Sequence, residues 1–133
     1  MPGSDTTRPP PSGSKSAAIS NMTVRLLSQY TGRGPTKARA YLQDDLVTVV
    51  LQDTLTKGEQ TLVDKDRREL VLTTRATFQE VMGEDLIAGI ETITGRKVIA
   101  FASCVDPEAN VAFENFVLEP RESDAESNNA SGG

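Results

Sequence analysis

Residues 32–59 read GRGPTKARAYLQDDLVTVVLQDTLTKGE, a glycine-rich basic loop that feeds a hairpin and then a capped helix. Gly32 tolerates the left-handed conformation in which helices end, and Pro35 forbids a quick restart, so residues 31–36 are predicted as a loop. Residues 37–43 and 46–51 are two strand-like runs. Between them Asp44-Asp45 reads as a tight turn, because Asp accepts positive φ and bonds its own backbone. Two adjacent carboxylates can also face a hard cation, but such a site wants more oxygen donors than this loop offers. Thr56 and Glu59 have the spacing of a capping box, which marks the start of a helix.

Upstream, Ile19, Met22, Leu26, Leu27 and Tyr30 recur at helical spacing, so residues 17–30 are predicted as an amphipathic helix that Thr31-Gly32 stops. Downstream of the capping box, Leu62, Leu70, Val71, Phe78, Val81, Met82, Leu86, Ile90 and Ile93 continue a helical pattern that Gly95 closes. Unbroken from 57 to 94, this helix would run about 57 Å at 1.5 Å per residue, longer than a short-stranded sheet covers. Gly58 and Gly83 are the candidate bends, and an unbroken helix would leave an apolar stripe for a second subunit, hence an expected homodimer. Residues 97–105 and 111–118 are two further strands around the loop 106–110. The order α-β-β-α-β-β implies an α+β two-layer sandwich, a four-stranded antiparallel sheet with helices on one face.

The chain of 133 residues has room for one domain, placed at 17–119. Residues 1–16, rich in Pro, Gly and Ser with Pro9-Pro10-Pro11, and residues 120–133 are expected to be disordered tails, too poor in apolar surface to offset the entropy of ordering. No stretch approaches the roughly 20 apolar residues that span a bilayer, and no secretory core opens the chain, so a cytoplasmic location is expected. The single cysteine, Cys104, sits in an apolar run and is read as a small buried hydrophobe.

Net charge is −5, unevenly spread: between Thr6 and Gln43 stand six bases and no acid, leaving eight bases against nineteen acids elsewhere. The bases either neutralise the acidic remainder of the same fold or meet a partner. The candidate site is Gly32, Arg33, Gly34, Lys37 and Arg39, because exposed amides of a glycine loop beside fixed positive charges can hold phosphate, carboxylate or bicarbonate. The loop lacks the Gly-Lys-Ser/Thr of a phosphate-binding loop, and its glycines can equally serve only to turn the chain. Nucleic acid is disfavoured by the acidic total and few aromatics, and direct membrane insertion by a first helix with one base, Arg25.

Nothing in the composition supplies a catalytic centre. The chain has no histidine, which removes the usual general base, the Ser-His and Cys-His pairs and the commonest zinc ligand. Glu59, Glu80, Glu84 and Glu91 share the predicted helix with Lys65, Arg67, Arg68 and Arg75 and read as a solvated, ion-paired face. A non-enzyme without metal or cofactor is therefore expected.

Taken together, Gly32-Arg33-Gly34-Pro35, Asp44-Asp45-Leu46, Leu55-Thr56-x-x-Glu59, Ile93-Thr94-Gly95, Ser103-x-x-Asp106-Pro107-Glu108 and Phe116-Val117-Leu118 make the chain resemble the MpsC-like family across residues 17–119. The family is named for a sodium-translocating, membrane-potential-generating system with a large soluble subunit and an ion-translocating membrane subunit. The resemblance implies an accessory or interaction module of a membrane ion- or bicarbonate-handling complex, with a protein partner, peripheral to the membrane through that partner. The alternative is a small-anion-binding regulatory or sensor domain. No catalytic residue comes with the resemblance, and Cys104-Val105 stand where family members often follow the serine with an acidic residue.

Overall fold

The computed structural model describes residues 12–121, and the outer parts of both expected tails lie outside them. Seven elements follow in order: α1 (Ser12–Thr31), β1 (Lys37–Gln43), β2 (Leu46–Gln52), α2 (Lys57–Asp64), α3 (Arg68–Thr94), β3 (Val98–Asp106) and β4 (Val111–Leu118). The strands form one antiparallel sheet in the order β1-β2-β4-β3, so the second hairpin docks its later strand against β2. The fold is the expected α+β arrangement. Helix α1 starts at Ser12, upstream of the apolar pattern, because residues 12–16 are Ser, Gly and Lys and carry nothing for periodicity to register.

One face of the sheet is covered. Val47, Val49, Leu51, Ala112, Phe116 and Leu118 point from the strands toward Ile19, Met22 and Leu27 of α1 and Met82, Leu86 and Ile90 of α3, all of them buried. Alternation along β2 and β4 puts the intervening residues on the opposite face, which no helix among the described residues covers. The two long helices touch closely at Gly89, where an added Cβ would sit 2.7 Å from Met22 Sδ.

The long helix is not continuous. It breaks at 65–67, where Asp66 takes φ 63°, and the amides of Lys65, Asp66 and Arg67 bond back to Thr61, Val63 and Leu62. Neither expected bend is used: Gly58 lies within α2 and Gly83 within α3, under Phe101. The break lets α3 turn its apolar side onto the sheet and α1. Among the described residues the large apolar side chains it leaves exposed are Leu70 and Val81. All four non-glycine residues with positive φ among those described are Asp44, Asp53, Asp66 and Asn110, the residue types that reach this region at least strain.

Two further expectations are corrected. Cys104 is exposed: it points to the uncovered face of β3, while Phe101, Ser103 and Val105 point inward. Its apolar run is apolar on both faces of the strand and so could not say which side is covered. Arg75 and Glu59, read as part of a solvated face, form an ion pair whose side chains are 6% and 13% exposed. Arg75 donates from Nε to Glu59 Oε2 at 2.8 Å and from Nη2 to Glu59 Oε1 and to the Thr54 carbonyl at 2.7 Å. The same Glu59 carboxylate accepts the Thr56 amide at 2.8 Å and completes the capping box.

Arg75→Leu should therefore cost about 3–5 kcal/mol, since it strands a buried carboxylate. Arg68→Ala, which removes an exposed pair with Glu108, should leave the urea midpoint unchanged. Equal midpoints for the two variants would refute the assignment of Arg75 as the internal tie.

Candidate functional site

The five residues singled out from the sequence fall into two places. Gly32 ends α1 with φ 82° and donates its amide to the Ser28 carbonyl at 2.9 Å. Gly34 presses on α1, where a Cβ would meet Ser28 Oγ at 2.5 Å. Arg33 turns to the end of β2, pairing with Asp53 at 2.7 Å and donating from Nε to the Asp53 carbonyl at 3.3 Å. Its amide meets Thr31 Oγ1 at 3.4 Å. The Thr36 amide bonds the Gln52 carbonyl at 3.1 Å, so the loop spends three of its amides and its one base on its own chain.

Lys37 and Arg39 are elsewhere. Two residues apart on β1, they project together from the uncovered face of the sheet and, with Tyr41, Val50 and Gln52, line a hollow of about 190 Å³. This is an exposed cationic pair beside an aromatic ring in a half-open hollow, able to attract an anion or an acidic side chain.

Glu114 is not among the residues that the motifs single out. It lies on β4 between Ala112 and Phe116, faces the covered side and is 4% exposed. Its partners across the sheet are Val49 on one side and Ser103 on the other. Oε1 of Glu114 and the Ser103 hydroxyl are both buried without a hydrogen-bond partner. Burial pushes the Glu114 carboxyl up to about 7; the Ser103 hydroxyl, near enough to oppose that rise without closing a hydrogen bond to Oε1, and the positive charge of Arg75 only partly offset it. Its only local signal was a single acid at an inward position of an alternating strand, which becomes visible once the covered face is known.

Beside this pair a groove of about 430 Å³ runs between α3 and β3, with Gln79, Glu80, Gly83 and Glu84 along one wall and Phe101 and Ser103 along the other. It offers an apolar floor with acidic margins. Among the described residues no three His, Cys, Asp or Glu side chains are placed to hold a metal ion, and no helix is long and apolar enough to cross a membrane. What this geometry can do is exchange a proton at Glu114 near neutral pH and present an acidic groove on one side of the sheet and a basic-edged apolar face on the other.

The model of the family described as "Na+-translocating membrane potential-generating system (MpsC)" matches residues 12–120, and the chain belongs to that family. No curated protein and no solved structure matches it.

Because the folded carboxyl of Glu114 titrates above its unfolded value of 4.5, its contribution to stability is fully present below about pH 4.5 and is lost as pH rises through about 7. Roughly 3 kcal/mol is at stake for a shift of this size. Urea denaturation between pH 5 and pH 8 should show this decline in the native chain. Glu114→Gln should abolish the decline and be the more stable protein at pH 8. Parallel pH profiles would show that the carboxylate is satisfied in the folded state.

Proposed function

We propose that this member of the MpsC family is a non-catalytic accessory component of the sodium-translocating system, an interaction module that meets a membrane subunit through a protein surface. The observation that carries this reading is the extent of the family match: residues 12–120 take in all seven elements of the fold, so the family's role belongs to the whole domain. In this reading the chain works at the cytoplasmic face and is held at the membrane by its partner. Bicarbonate handling by the same complex is part of the proposal, on family resemblance alone.

The groove between α3 and β3 is the surface that suits such a partner. Cytoplasmic loops of membrane proteins carry an excess of Lys and Arg, and Glu80 and Glu84 rim the groove with the opposite charge. An apolar floor at Phe101 and Ile87 gives an inserted side chain something to bury against.

A second reading, a small-anion sensor, is favoured by one observation, the adjacent Lys37 and Arg39 in their hollow. An anion bound there raises the melting temperature by mass action on the folded state. Phosphate or bicarbonate should then stabilise the native chain but not Lys37→Gln/Arg39→Gln; no shift with either anion removes this reading.

For the accessory role, tagged protein cross-linked in its own cells should recover an integral membrane transporter subunit from the membrane fraction. Glu80→Lys/Glu84→Lys should lose it while Arg39→Glu keeps it. Recovery of the chain alone from both fractions would overturn the role. Equal recovery by the groove variant would keep the role and move the contact elsewhere.

A further inference from the structure

The uncovered sheet face has a composition that asks for an occupant. Strand register places its residues in rows across the four strands. One row runs Lys37, Gln52, Val111, Asp106, and the next runs Arg39, Val50, Phe113, Cys104. Further along, Leu46 and Val117 pair across β2 and β4 and are 48% and 39% exposed. Between them the row Tyr41, Thr48, Asn115, Ala102 carries a hydrogen bond from Thr48 to Asn115. The face therefore has a basic margin on β1, a middle on β2 and β4 in which Leu46, Val50, Val111, Phe113 and Val117 are interrupted by Gln52, Thr48 and Asn115, and an acidic corner on β3 at Asp106.

We propose that this face packs against the same face of a second copy of this chain, sheet on sheet, about a two-fold axis lying between the sheets and parallel to the strands. The rotation exchanges left and right and keeps the position along the strands. It lays β1 of one copy over β3 of the other, so Lys37 faces Asp106 of the second copy and Arg39 faces Cys104, twice over by symmetry. The middles meet with Val50 over Phe113 and Leu46 over Val117 of the second copy, and with Thr48 over Asn115 between them. An axis across the strands would instead lay β1 over β1 and leave Asp106 opposite no base.

Charge complementarity thus selects both the occupant and the axis. A face with its bases on one side and its acid at the same level on the other matches its own rotated image, as an isologous interface must. Asp106 accepts the Ala109 amide on Oδ1 at 3.0 Å and lies within electrostatic reach of the exposed Arg68, so Lys37 of the second copy meets a carboxylate whose charge is already partly compensated. Sheets packed face to face lie about 10 Å apart with strands within about 30° of alignment, which suits the alternation of β2 and β4. The expected self-association therefore belongs to the sheet, since the apolar side of α3 is spent on the core. The dimer face and the groove between α3 and β3 lie on opposite sides of the sheet, so this inference does not rest on the accessory role.

Light scattering on the full chain across a dilution series should return the dimer mass at high concentration. Val117→Glu, at a position the isolated fold leaves exposed, should keep the native circular dichroism and weaken dimerisation roughly tenfold or more. A short bismaleimide should link Arg39→Cys to the native Cys104 of the second copy, giving covalent dimers, and should link neither the native chain nor Arg39→Cys/Cys104→Ser. Monomer mass at every concentration would overturn the proposal. So would a dimer unaffected by Val117→Glu, or one cross-linked through Val81→Cys/Cys104→Ser on α3.

Discussion

The paired contact of Arg75 with Glu59 is the constraint on which the two layers of this fold depend. The segment 53–59 leaves the sheet and enters the helical layer, and a crossing of that kind strands backbone polar groups that must find partners. Arg75 reaches back from α3 to hold the Thr54 carbonyl and the Glu59 carboxylate. Asn110, from the turn between β3 and β4, accepts the amides of Thr54 and Leu55 on its Oδ1 at 2.9 and 3.0 Å. One arginine and one asparagine therefore fix where the chain crosses, how α2 is capped and how the second hairpin is aligned with β2. At the opposite end of the sheet Arg96 plays a matching part, donating to the carbonyls of Asp44 and Glu119 and to the Asp45 carboxylate.

What the sequence disclosed is what is decided within a few residues. A glycine at a helix end, a Thr three positions before a Glu, an Asp pair between two strand-like runs: each carries its own reason for its conformation, and each stands where expected. The break at Asp66 was hidden because the same tolerance of positive φ that makes Asp a turn residue is not reserved to turns. Gly58 and Gly83 were the louder signals, but neither needed an unusual backbone. Sheet order and the facing of β3 depend on which strands meet, and Cys104 could be placed only once β4 was known to lie between β2 and β3.

The candidate site was half legible for the same reason. Lys37 and Arg39 share a face by the two-residue period of a strand, which sequence alone carries. Arg33 is four residues from Lys37 along the chain, yet its partner is Asp53, on the far side of the hairpin, and no local rule points there. Glu114 lay deepest: an acid in a strand is unremarkable until the helices are known to cover its side.

Arg75 also explains why Glu114 is left to hold a proton. A buried carboxylate keeps its charge only where a cation or several hydrogen bonds compensate it. Burial pushes Glu59 up as well, but the hydrogen bonds from Arg75 and the Thr56 amide outweigh it and bring Glu59 below its ordinary value. The same guanidinium stands within electrostatic reach of Glu114, but its Nε and Nη2 bonds go to Glu59 and the Thr54 carbonyl. The two glutamates compete for one arginine, and the fold awards it to the one that caps a helix. Among the described residues the core thus holds one satisfied charge pair, Arg75 with Glu59, and one acid, Glu114, that stays neutral at mildly acidic pH.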